Sequence, residues 1–351
     1  MRFYQLLLLC SLPFLVACPD PNTIVESNWP PVLEGWDIAE LGTLPAGIQN
    51  EINFFNIDDG IVFGAGIWFS DDGGRNWTER SPQADIKVDA ISFQTYQRGI
   101  ISFHTGDGSS TPYDIYIAQT EDAGLNWSVG LVLDFSAPVN DLHFTDDFEG
   151  LAIVPGLPNR LYRTLDSGAS WDSIENVEPK TSAFTDRANN QSIQFLDDQI
   201  GFLLAADGGS WYKTQDAGET WTQEFFDPFA VRAYQLLSED SVYFLAERLY
   251  FSADGGSSFE LVSQDIFDSF TALPNASIMA MRFKRIDATN PAQSLNFYTL
   301  SYHEAGSSDW LESQEVVNYF FEAFVNTGPS QILGLALDQQ TAERTLYRLQ
   351  K

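Results

Sequence analysis

One short pattern, Ser/Thr-x-Asp-x-Gly-x-x-aromatic, occurs five times in this chain, and its spacing constrains the fold more than any other feature. The copies are SDDGGRNW (Ser70, Asp72, Gly74, Trp77), TEDAGLNW (Thr120, Asp122, Gly124, Trp127) and TLDSGASW (Thr164, Asp166, Gly168, Trp171). TQDAGETW (Thr214, Asp216, Gly218, Trp221) and SADGGSSF (Ser252, Asp254, Gly256, Phe259) follow. Their starts stand 50, 44, 50 and 38 residues apart, a mean of 45.5. A repeat of that length is one small supersecondary unit that buries its apolar face only by stacking on its neighbours. The chemistry of the pattern is that of a turn. Aspartate accepts backbone N–H groups, glycine permits a positive φ, the hydroxyl closes the loop, and the aromatic residue buries a large face. Recurrence once per unit favours this structural role for the five aspartates over a catalytic or calcium-binding one.

A second pattern accompanies the first. Phe54 precedes Gly60 by six residues, as Phe93 does Gly99, Phe144 does Gly150 and Phe195 does Gly201; Leu236 and Val242 take those places in the fifth unit. Each pair lies upstream of its turn motif, in apolar runs broken by an Asp/Asn-rich turn, which is a hairpin signature. Every unit therefore reads as strand A, tight turn, strand B, loop, strand C ending at Ser/Thr, motif turn, strand D. Four strands in about 45 residues is one blade of a β-propeller.

Beyond the fifth motif, SYHEAGSSDW (Ser301 to Trp310) reads as a degenerate sixth copy with His303 where aspartate would stand. VVNYFFEAFVN, ILGLALD and TLYRLQK then supply three strands, the first of them read as an innermost strand, and the chain ends one strand short of a blade. Near the other end GWDIAEL, Gly35 to Leu41, is a lone strand led by Trp36. The expectation is an all-β fold: a single propeller of seven four-stranded antiparallel blades over residues 36–351, its last blade closed by the N-terminal strand so that no edge stays open.

The N-terminus reads as an address. Arg2 precedes an apolar run, Phe3 to Val16, too short to span a bilayer as a stable anchor, and Leu15-Val16-Ala17-Cys18 follows. This resembles the bacterial lipoprotein signal, which implies cleavage after residue 17 and lipidation of Cys18. An ordinary secretory signal with an incidental cysteine is the alternative. Multiple acyl chains anchor a protein stably where one does not. Residues 18–35, proline-rich and without a period, read as the lipidated cysteine and a tether. Aspartate does not directly follow Cys18, which tilts the localisation in a cell envelope toward the outer membrane.

Composition excludes several function classes. Forty-nine acidic residues against 18 basic ones give a net charge of −31, which repels phosphate backbones, so no nucleic-acid partner is expected. Two cysteines and three histidines (His104, His143, His303) leave no room for a multi-ligand Cys/His metal site. No metal and no cofactor is expected, and nothing calls for more than a monomer. His143, beside Phe144 on a strand A, reads as a core residue.

The five turns resemble the Asp-box, or bacterial neuraminidase repeat, and their pairing with the Phe/Gly hairpin resembles the repeat of photosystem II stability/assembly factor proteins. The resemblance covers residues 51–260 best. It implies the propeller strongly and function weakly, since enzymes and non-enzymatic assembly factors share the repeat. Two function classes stand. One is a sialidase-like glycoside hydrolase acting on surface glycans, which the resemblance equips with three carboxylate-binding arginines and a tyrosine nucleophile. The family's Arg-Ile-Pro segment is absent, and Arg75, Arg163 and Arg248 fall in or beside turns and C strands. The other is a membrane-tethered binding or assembly module for a protein or glycan partner, without catalysis. The assembly-factor family presents a basic patch; this chain is poor in Lys and Arg, so the class carries over and the photosynthetic partner does not.

Loop lengths suggest a working face. From the hairpin glycine position to the motif start the distances are 10, 21, 14, 13 and 10 residues, which marks Thr105 to Tyr113 as an inserted B–C loop. A longer connection near Glu175 to Asn190 marks a D–A insertion on the same face. His104, Asp107, Asp186 and Arg187 are its candidate contact residues, with featureless solvated loops as the alternative.

Overall fold

The computed structural model describes residues 29–351 apart from 106–113, 133–134, 181–191, 226–230, 247, 287–294, 318, 329 and 340; the signal segment and Cys18 lie outside the described residues. The described residues form strands and turns and no helix. Strand β1 is Asp37–Thr43. Blade 1 follows with β2 (Ile48–Phe54), β3 (Gly60–Gly64), β4 (Gly66–Ser70) and β5 (Thr78–Glu79). Blade 2 holds β6 (Ile86–Phe93), β7 (Gly99–Thr105), β8 (Ile115–Thr120) and β9 (Ser128–Val132). Blade 3 holds β10 (Asp141–Phe144), β11 (Gly150–Val154), β12 (Arg160–Thr164) and β13 (Asp172–Ile174). Blade 4 holds β14 (Ile193–Phe195), β15 (Gly201–Leu204), β16 (Ser210–Thr214) and β17 (Thr222–Phe225). Blade 5 holds β18 (Ala233–Leu236), β19 (Val242–Leu245), β20 (Leu249–Ser252) and β21 (Glu260–Leu261). Blade 6 holds β22 (Phe267–Ala272), β23 (Ile278–Ile286), β24 (Leu295–His303) and β25 (Trp310–Glu312). Blade 7 is β27 (Tyr319–Gly328), β28 (Gln331–Asp338) and β29 (Arg344–Gln350), with β1 as its fourth strand, so the ring closes as the sequence anticipates. One strand is additional. β26 (Val316–Val317) pairs with β24, so the segment read as one innermost strand splits, and only Tyr319–Gly328 runs as strand A.

The Phe/Gly spacing has a direct cause in this register. Phe54 lies opposite Gly60, Phe93 opposite Gly99, Phe144 opposite Gly150 and Phe195 opposite Gly201, while Leu236 lies opposite Val242. A Cβ on Gly99 would stand 2.2 Å from the Phe93 ring, so each aromatic ring covers a site that only glycine leaves open. The same rings meet the motif aromatic of their own blade edge-on: Phe54 with Trp77 at 6.1 Å, Phe144 with Trp171 at 6.0 Å and Phe195 with Trp221 at 6.4 Å. The two sequence patterns are thus two halves of one packing unit.

The apolar core is distributed rather than central. Seven clusters sit one at each blade junction; blades 1 and 2, for example, interleave Ile61, Phe63 and Phe69 with Val88, Ile101 and Phe103. Side chains also stitch the innermost strands together. Ser92 accepts the Phe144 N–H at 2.8 Å, Asp141 the Ile193 N–H at 2.9 Å, and Ser269 donates to the Phe321 carbonyl at 2.7 Å. Gln235 both donates to and accepts from the Ala272 backbone, at 2.9 and 2.8 Å.

Residues 29–35 are not a free tether. Trp29 stacks on Tyr319 at 5.2 Å and donates its indole N–H to the Tyr347 hydroxyl at 2.8 Å, and Leu33 is buried between blades 6 and 7. The apolar side chains at these positions have a ready acceptor surface on the closing blade, so the folded unit starts before residue 36.

Candidate functional site

The motif turns and the A–B turns occupy one end of the propeller. In all five repeats the residue after the motif aspartate donates its backbone N–H to the A–B turn: Gly73 to Asp58, Ala123 to Gln97, Ser167 to Phe148, Ala217 to Gln199 and Gly255 to Asp240, at 2.8 to 3.0 Å. The B–C and D–A loops therefore lie at the opposite end.

Each motif turn is closed by its own residues. Thr164 donates its hydroxyl to Asp166 Oδ1 at 2.8 Å and accepts the Gly168 N–H at 2.9 Å, while Ser170 gives Asp166 its backbone N–H and its hydroxyl at 2.8 and 2.7 Å. The other four repeat this arrangement, with Asn76, Asn126, Thr220 and Ser258 in the place of Ser170. The side-chain donors Asn126, Ser170 and Ser258 hold Asp122, Asp166 and Asp254 below their ordinary range. For Asp72 and Asp216 partial burial acts upward but the same bonds outweigh it. These carboxylates are satisfied acceptors within their turns.

The inserted-loop face is less informative. Asp107, Asp186 and Arg187 lie outside the described residues. His104 does lie at that end of β7, but it is 3% exposed and its Nδ1 contacts Asp89 Oδ2 at 2.8 Å, so it is an interior partner and not a surface contact. Burial pushes the Asp89 carboxyl up, against the opposing bond and charge of His104. Asp89 sits where β6 bulges, and bulges in β22 and β27 likewise hold Asp268 and Glu322. Asp268 stands 4.0 Å from Arg232, and Glu322 accepts from Arg344 at 2.5 Å.

Two cavities lie along the central channel. The inner one, about 330 Å³, is bounded by Asn53, His143, Gln194, Tyr234, Gln235 and Asp268 among others. The second, about 460 Å³, reaches the motif-turn end between blades 2, 3 and 4, past Gln94, Thr145, Asp197 and Asp198. His143 lines both. It stacks on Phe195 with ring centres 4.6 Å apart, burial pushes it down to about 4, and neither ring nitrogen has a hydrogen-bond partner among the described residues. It is a neutral imidazole facing the channel rather than a satisfied core group. Strand alternation puts every second residue of strand A toward the axis, and that parity is the signal by which sequence could have found it.

Most described arginines are committed. Arg98 pairs with Asp147, Arg163 with Glu149, Arg282 with Asp265 and Glu312, Arg344 with Glu322, and Arg348 with Asp37. Arg75, Arg80 and Arg248 donate to backbone carbonyls in separate blades. None of these arginines lines either of the two cavities. Among the described residues no group of three or more His, Cys, Asp or Glu is placed to hold a metal ion.

No family model matches this chain, and no curated protein matches it. Solved structures do. YCF48 bound to a D1 peptide superposes with a TM-score of 0.62 at 18% identity, covering 92% of this chain and 97% of that one. YCF48 from Cyanidioschyzon merolae gives 0.60 at 12% identity, over 90% and 98%. The GH74 enzyme of Niastella koreensis gives 0.58 at 13% identity, with 86% of this chain covering 53% of that one. At these identities the likeness is one of fold: a seven-bladed β-propeller.

Proposed function

We propose that this chain is a binding propeller that captures a protein partner without catalysing a reaction on it, and that it is held at an envelope membrane, on the outer-membrane side, through lipidated Cys18. The observation that carries the reading is the assignment of its polar groups. The recurrent aspartates are consumed by their own turns, and the named arginines by ion pairs and carbonyls in separate blades. What faces the channel is a neutral imidazole and carboxylates, among amides that bridge neighbouring strands, an inventory suited to recognition. The match over nearly the full length of YCF48, one structure of which holds a D1 peptide, supports a polypeptide as the class of partner.

The test is crosslinking in native envelopes with the lipidated protein and a Cys18→Ala form, followed by identification of the crosslinked species. A specific protein adduct with the anchored form, and release of Cys18→Ala from the membrane fraction, is the expected result. Absence of any protein adduct together with turnover of a glycan in parallel hydrolysis assays would overturn the reading in favour of a glycosidase.

A further inference from the structure

The motif-turn end of blades 2 to 4 combines three features. The first is the 460 Å³ cavity, which has room for a whole side chain with water around it. The second is a pair of apolar side chains on the turns of blade 3, whose A–B turn also supplies Thr145 to the cavity wall. Phe148 and Leu165 are each 60% exposed, and the Ser167 N–H to Phe148 carbonyl bond of 2.9 Å holds their two turns together. Exposed aromatic and aliphatic groups in adjacent turns mark a contact site more than scattered single residues do.

The third is uncompensated charge at the cavity mouth. Asp197 Oδ1 accepts the Gln199 and Ile200 N–H groups at 2.9 and 2.8 Å, which fixes its carboxylate in the A–B turn. Asp198, next to it and exposed, has a carboxylate with no partner among the described residues. Of the cations at this end, Arg98 is paired with Asp147, Arg163 with Glu149 and Lys213 with Glu239. Behind the mouth, His143 lines the cavity with its ring face stacked on Phe195.

We propose that this surface is the docking site for a polypeptide segment carrying a lysine or arginine next to an apolar side chain. The apolar group covers Phe148 and Leu165, and the cation enters the mouth at Asp197 and Asp198. This deepens the reading of the chain as a protein-binding propeller and rests on it. It also moves the working face from the inserted loops to the opposite end. A chain of net charge −31 attracts such segments at long range, and the shelf and cavity select among them at contact.

The test is fluorescence anisotropy with the whole protein and a labelled, capped heptapeptide, Gly-Leu-Lys-Phe-Arg-Leu-Gly, against its counterpart with glutamate for both basic residues. Saturable binding of the basic peptide is expected, weakened about tenfold by Asp198→Asn and by Phe148→Ser. Asp114→Asn, at the opposite end, should leave it unchanged. Thermal melts should show all three variants folded. No saturable binding, or equal affinity in all variants, would overturn the docking site. If an envelope protein meanwhile crosslinks through the B–C end, the site is wrong and the binding reading stands.

Discussion

The motif turn of blade 1 rests directly on strand C of blade 7: a Cβ on Gly74 would stand 2.3 Å from Leu346 Cδ2. The same relation recurs around the ring. Gly124 meets Phe69, Gly218 meets Leu151 and Gly256 meets Trp211, each on the preceding blade. The motif glycine therefore serves two demands at once, a positive φ (82° at Gly74) and contact with the preceding sheet.

Gly74→Ala is expected to destabilise the protein by about 3 kcal/mol, from left-handed strain and a methyl forced into Leu346. Gly130→Ala, on β9 with nothing within 4 Å of its Cβ site, should change stability by less than about 0.5 kcal/mol. Equilibrium denaturation of both variants checks the contrast.

Closure of the ring rests on β1, whose leading Trp36 meets Tyr302 at 5.1 Å within the blade 6–7 core. Trp36→Ala should cost about 3 kcal/mol. Deleting residues 29–43 should leave β29 as an open edge and produce concentration-dependent association in sedimentation velocity.

The motif carboxylates set an acid limit on stability. Asp122, Asp166 and Asp254 are held below their ordinary 3.8, so the native state binds fewer protons than the unfolded chain once the pH approaches that value. Their contribution is complete above about pH 5 and drains away as the pH falls through the lower, folded values. Asp166→Ala should lower stability at pH 7 by about 1 kcal/mol, the size of a lost capping bond, and narrow the difference from the native protein near pH 2. Urea midpoints across that range read it out.

His143 gives a second and higher window. Its folded value of about 4 lies below the ordinary 6.5, so the unfolded chain takes up a proton first and stability falls between pH 6.5 and 4. Between pH 7 and 5 this one group should remove about 2 kcal/mol. His143→Phe, which keeps a ring on Phe195, should abolish that part of the pH dependence, and the His143 ring resonances of the native protein should show a neutral imidazole at pH 6.

The fold was legible because the first five blades repeat one turn motif and four of them one hairpin pair. Phe93 opposite Gly99, and Gly124 against Phe69, are positional demands that recur at fixed offsets, so they leave a periodic trace. The docking residues leave none. Phe148 and His143 differ from their counterparts in other blades, because a binding surface breaks the symmetry that builds the ring, whereas Asp198 has Asp147 at the same place in blade 3. One local signal exists: in TDDFEG an aromatic stands inside an acid-rich turn, where solvent exposure is the default. Loop length points to the other end, where His104 is the buried partner of Asp89.

Site-specific photocrosslinking in intact cells tests the account most directly, with the photoreactive residue at position 148 or at position 157, where Leu157 is fully exposed on a B–C loop. A discrete protein adduct is expected from position 148, lost when Asp198 is also replaced by asparagine, and none from position 157. An adduct from position 157 alone, or none from either, would contradict it.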